Sequence, residues 1–253
     1  MDRTLVQIRE RSLVDVLDLA VVVVRDRPAT LALAAAMGIG PFVALNAWLF
    51  RSATDLAWGI PLVLWTLEAP IATAPLTVVL GGLMFGRRPT VGRVVVTVLR
   101  SAVALIVVHG LIRIALFFLI PSRLAFANEI ILLERGGWWK VLRRGGDLGS
   151  GRAGGLFLMG VFQVALAIGF ATLSYVGTGR LGQAVMAEDL TWDTPAASAL
   201  AGLRFQLPIW LVVAFFAVVR FLTYIDQRIR LEGWEVELRL RAVGEAMEAA
   251  RRW

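Results

Sequence analysis

Four ionisable residues interrupt long apolar stretches of this chain: Glu68, His109, Arg113 and Glu129. Such groups are costly at membrane depth and mark functional candidates there. His109 and Arg113 lie four apart, so a helix carries them on one face. Arg113 is eight residues before Pro121, and Glu129 is eight after it. Eight helical residues span about 12 Å. If the chain turns at Pro121, Arg113 and Glu129 are expected to meet at one depth as an ion pair. Three readings are open. The pair is a lock that holds a short hairpin; or the four residues relay protons or ions; or they line a groove entered by water or lipid head groups. Catalysis is not expected. There is no HExxH, GxSxG or Walker A pattern. Ser174 and His109 lie on different stretches, with nothing to bring them together. Without Cys and with one His, the chain has no thiolate nucleophile, no zinc–cysteine site and no multi-His metal site. No metal and no cofactor are expected.

The elements that hold these residues are membrane helices. Of 253 residues, 58% are apolar and 18% charged, against ~45–50% and ~25% in an average soluble domain. The net charge of +7 falls in clusters between apolar runs. The fold expected is all-α and polytopic. A span takes about 20 apolar residues. Candidate spans are 28–49, 57–85, 100–120, 124–133, 154–177 and 207–224. The run Gly38-Ile-Gly40-Pro41 is expected to loosen or kink the first. Pro61, Pro70 and Pro75 are expected to bend the second. Asp15, Asp18 and Asp26 break the first apolar run, which argues against a cleavable signal peptide.

Loop charge orients the spans. Segment 86–100 carries Arg87, Arg88, Arg93 and Arg100 with no acid; segment 135–152 has five basic residues against Asp147. Both are expected on the cytoplasmic side. Segment 179–203 is acidic, with Glu188, Asp189 and Asp193, and fits the outside. The result is about six spans with both termini cytosolic. Segment 124–133 is short and carries Asn128 and Glu129, so a re-entrant segment stays open beside a full crossing. Arg204 and Arg220, near opposite ends of the last span, are expected to snorkel.

Three stretches share one plan of basic residues, a turn, an amphipathic run and then a span: 9–19, 86–96 and 134–144. Ser12 with Asp15, and Thr90, are candidate helix caps. These stretches read as interfacial elbow helices anchored by Arg and Trp. The alternative is a cytosolic ring that binds anionic lipid heads or a partner through Arg87, Arg88, Arg143 and Arg144. Gly82 and Gly86 form a GxxxG, read as packing within the molecule.

Three segments carry a family resemblance. They are Ile130-Ile-Leu-Leu-Glu-Arg135 followed by Val141-Leu-Arg-Arg144 and Asp147-Leu148; the turn Gly86-Arg-Arg-Pro-Thr90; and Tyr224-Ile-Asp-Gln-Arg-Ile-Arg-Leu-Glu-Gly-Trp-Glu-Val-Glu-Leu238. Together they resemble bacterial membrane proteins related to the glycerophosphoryl diester phosphodiesterase membrane domain. The resemblance covers most of the chain, and 224–238 is its most specific part. It implies a six-helix membrane fold, no established activity and residence in a bacterial cytoplasmic (inner) membrane. The chain departs from the pattern at Gly145-Gly146, where Arg-Ser-Trp is usual. It also lacks a catalytic phosphodiesterase domain and any cluster of carboxylates and His to serve as one.

The chain divides into a cytosolic stretch 1–27 with an interfacial helix, a transmembrane domain 28–225 and a cytosolic helix 226–253. In the last, Val236, Leu240, Val243, Met247 and Ala250 form one apolar stripe. Two heptads are short for a coiled coil. The stripe docks on the protein's own cytosolic surface or takes a protein partner through 234–253. The functional expectation is a non-enzymatic membrane subunit or scaffold. The alternative is a transporter or lipid-handling protein with a polar intramembrane site, since broken helices line cavities. The lipid bilayer is the expected partner. Nucleic acid is not, because membrane topology explains the Arg clusters and no nucleic-acid motif is present.

Overall fold

The structure is a computed structural model and describes residues 12–50, 59–84, 86, 89–116, 121–149, 153–186 and 202–232. Every regular element among them is helical. In order they are α1 (Leu13–Asp26), α2 (Pro28–Leu49), α3 (Gly59–Ala72), α4 (Ala74–Met84) and α5 (Val91–Ile106). A π segment (Val107–Ile112) follows, then α6 (Arg113–Leu116) and a 3-10 turn (Pro121–Leu124). The chain continues as α7 (Ala127–Leu133), α8 (Trp138–Gly149), α9 (Ala153–Met186) and α10 (Leu203–Glu232). Arg87, Arg88 and the helix predicted within 234–253 lie outside the described residues.

Five helical stretches are long and apolar enough to cross a membrane: Pro28–Leu49, Ile60–Met84, Val91–Ile112, Ala153–Leu181 and Leu203–Leu231. This is the architecture of a multi-pass membrane protein. Large apolar side chains such as Leu33, Leu99, Val103, Leu111, Phe157 and Leu173 are exposed on the outer helix faces. A water-soluble monomer rarely shows so extended an apolar surface. Two spans form the centre. In α3–α4 and in α10, 56% of the span is buried, against 17%, 17% and 22% in the others. Aromatic pairs bind α10 to its neighbours: Phe42 with Trp210, Trp65 with Phe205, Phe126 with Tyr224 and Phe162 with Phe216.

Local sequence explains the breaks and the continuities. Ser12 caps α1 in a full capping box: its hydroxyl accepts from the Asp15 amide, and the Asp15 carboxylate accepts from the Ser12 amide. Thr90 stands at the start of α5 but makes no side-chain cap. The second span breaks between α3 and α4 at Thr73, between Pro70 and Pro75. Pro75 brings no amide hydrogen for an i−4 carbonyl, so the helix cannot continue its ladder there. The first span, in contrast, runs as one helix through Gly38-Ile-Gly40-Pro41. Gly38 serves a close approach instead. A Cβ there would overlap the carbonyl oxygen of Ala72 and crowd Pro75 Cδ at 2.9 Å. At the GxxxG pair, Gly86 has open space around it, while the preceding Gly81 is the residue that packs on Leu133.

The segment predicted as a fourth span is much shorter than a crossing. Helix α7 has seven residues, about 10 Å of helix. It is nevertheless buried from Ala127 to Leu132. Its contacts fix its direction. Asn128 meets Thr73 and Leu133 meets Gly81; Glu129 meets Arg220 and Glu134 meets Tyr224. Helix α7 therefore runs parallel to α4 and to the second half of α10. The 3-10 turn before it packs on α8, where a Cβ at Gly145 would overlap the Arg123 carbonyl oxygen. Gly145-Gly146 thus has a packing reason. The turn sits beside Arg144, the residue that bonds Glu134 at the other end of α7. Both the turn before α7 and the end of α7 thus pack on α8.

Candidate functional site

At the break between α3 and α4 the Pro70 carbonyl accepts from Thr73 Oγ1 at 3.2 Å and also from outside its helix. Asn128 Nδ2, carried by α7, donates to it at 2.6 Å. That donation orients the amide, so Asn128 Oδ1 faces His109 Nε2 at 2.8 Å. An oxygen there takes a proton from His109 Nε2, and Nδ1 is buried without a hydrogen-bond partner. His109 comes from the π segment, and such bulges recur at functional sites. Thr73 Oγ1 donates to the Ala69 carbonyl at 2.9 Å and accepts from Arg220 Nη2 at 3.3 Å. Arg220 Nε donates to Glu129 Oε1 at 3.1 Å. Glu129 is fully buried, His109 and Asn128 are 2% exposed, and the Arg220 side chain is 22% exposed. One polar seam thus joins the α3–α4 break, the π segment, α7 and α10.

The ion pair expected between Arg113 and Glu129 is not formed. Glu129 pairs with Arg220 instead. Arg220 does not snorkel, because its position on the inner face of α10 aims it at α7. Glu68 stands apart from the seam. It accepts from Asn46 Nδ2 at 2.7 Å, tying α2 to α3. The four sequence-predicted residues therefore do not line one continuous path of hydrogen bonds among the described residues. His109 and Glu129 share the seam, Glu68 is in a separate pair, and Arg113 makes no hydrogen bond or ion pair there.

A second cluster forms at the end of α7. Glu134 accepts from Tyr224 Oη at 2.7 Å, from Arg144 Nε at 3.0 and 3.1 Å, and from Lys140 Nζ at 3.2 Å. Burial alone would raise this carboxyl. The bonds from Tyr224, Arg144 and Lys140 outweigh it and hold Glu134 below its ordinary value. Stability from such a depressed carboxyl is present above its unfolded value and is lost as pH falls through the folded one. Arg144→Gln is expected to lower stability at neutral pH by about 1.5–3 kcal/mol, the range for a bond to a charged group, read from thermal unfolding. The difference from wild type should shrink in acid, below the ordinary carboxylate range. Arg144 is thus occupied within the fold, whereas Arg143 is exposed beside the exposed Trp138 and Trp139.

Sequence reasoning passed over Arg220, Asn128, Thr73 and Asn46 as members of these clusters. Asn128 beside Glu129 in a short apolar run was the available signal. Among the described residues no group of His, Asp and Glu is placed to hold a metal ion. No family model matches the chain, and no curated protein or solved structure matches it.

Proposed function

We propose that this chain is a non-enzymatic membrane subunit or scaffold of a bacterial cytoplasmic membrane. The observation that carries the reading is how the intramembrane polar groups are used. Glu129 is bonded by Arg220, Glu68 by Asn46, and His109 by Asn128. Each of these three bonds joins different helices. Groups with partners of this kind rigidify a bundle and are not poised for chemistry. The proposed topology keeps both termini cytosolic, which needs an even number of crossings: the five long helices and a sixth passage ending in α7, which runs in the direction of α4 and returns the chain to the cytosolic side. Basic segments 86–100 and 135–152 then share the cytosolic side. Elbow helices at 9–19, 86–96 and 134–144 lie along that surface.

Relation to the glycerophosphoryl diester phosphodiesterase membrane domain group is part of the proposal. Its support is that Glu134 and Arg144 of the first segment of the resemblance meet Tyr224 of the last in one cluster. The protein partner proposed for 234–253 gives the test. The full chain and a chain ending at Gly233 are extracted mildly from native membranes, and co-purifying proteins are identified by mass spectrometry. A stoichiometric partner present with the full chain and absent from the truncated one is the expected result. No partner with either chain would overturn the scaffold reading.

A further inference from the structure

A second cation stands beside the polar seam, whose own charges are the paired Arg220 and Glu129. Arg113 opens α6 immediately after the π segment and is half-buried. It lies within Coulombic reach of both His109 and Arg220. Glu129 is already bonded to Arg220, and no carboxylate among the described residues pairs with Arg113. His109 Nδ1 is buried without a hydrogen-bond partner, so a second proton there would be unsatisfied and His109 offers Arg113 no compensating charge. Of the two guanidinium groups, only Arg220 has a carboxylate partner among the described residues. A desolvated cation without a counter-ion costs several kcal/mol. The neighbours of Arg113 on its outer side, Leu111 and Ile114, are exposed and apolar, which suits acyl chains. Guanidinium groups match phosphate oxygens in a planar fork.

We infer that Arg113, at the end of the π segment and beside Arg220, binds a phosphate-bearing anion at the lipid-facing edge of the seam. The inference goes beyond the scaffold reading and does not need a protein partner. The anion is either the head group of an anionic phospholipid or free phosphate. Arg113 supplies the direct bond, and Arg220 adds attraction while remaining on Glu129.

The test uses the full chain, delipidated in uncharged detergent, with thermal unfolding as readout. Short-chain phosphatidylglycerol, short-chain phosphatidylcholine and inorganic phosphate are titrated separately. Saturable stabilisation by phosphatidylglycerol, without phosphatidylcholine or phosphate doing the same, identifies a lipid head group. Equal stabilisation by phosphate identifies a free anion. In either case Arg113→Gln should weaken the apparent affinity about tenfold or more, and Arg113→Lys should weaken it less. Arg204→Gln, at the exposed start of α10, should leave it unchanged. If Arg113→Gln does not fold, the comparison of Arg113→Lys with wild type decides, and equal affinity overturns the proposal. It is also overturned if neither anion stabilises the wild type, or if Arg204→Gln abolishes the effect while Arg113→Gln does not.

Discussion

Replacing Arg220 with Met is expected to lower the stability of the detergent-solubilised protein by about 3–5 kcal/mol, the range for removing one partner of a buried pair. Met keeps most of the volume, so the loss reports chiefly on charge and hydrogen bonding. Two acceptors are abandoned together, Glu129 Oε1 and Thr73 Oγ1. Glu129 is fully buried, and its Oε2 has no other bond, so nothing else compensates it. Arg204 is the control. It lies on the same helix but is exposed, and Arg204→Met should change stability by no more than about 0.5 kcal/mol. Thermal unfolding of the purified variants measures both.

Gly38→Ala is the second large effect. The added methyl would overlap the Ala72 carbonyl oxygen at the α3–α4 break. Backbone at a contact yields less readily than a side-chain end, so α2 must move outward. Overpacking of this kind costs about 1–3 kcal/mol. The same change two residues on has the opposite sign. Gly40 has open space around it, and Ala there is expected to be neutral or to stabilise the helix by up to about 1 kcal/mol. The pair separates close approach from helix propensity within one turn. A melting comparison that showed equal shifts for both variants would contradict the packing assigned to Gly38.

The helical membrane architecture was legible because span length and apolar content are properties of the chain itself. The break near Pro70 and Pro75 and the Ser12 capping box were legible for the same local reason. The role of α7 was only partly so. A short, mostly apolar run reads the same whether it completes a crossing or stops half-way. Its short length and its Asn128-Glu129 pair were the visible signs. Partner choice was not legible. Arg113 and Glu129 are symmetric about Pro121 in sequence, and that symmetry holds only for a simple helical hairpin. The π segment, the 3-10 turn and the packing of that turn on Gly145 displace the two arms from that register. Arg220 is 91 residues from Glu129, and no local pattern links residues so far apart. Likewise Arg144 looked available for lipid, and only the fold shows Glu134 and Tyr224 beside it.

The central claim is that Glu129 is locked to Arg220 and not to Arg113. Two double-mutant cycles in thermal unfolding test it most directly, Glu129→Gln with Arg220→Met and Glu129→Gln with Arg113→Met. The account predicts a coupling of about 1 kcal/mol or more in the first cycle, as for contacting residues, and near zero in the second. Coupling to Arg113 with none to Arg220 would contradict it.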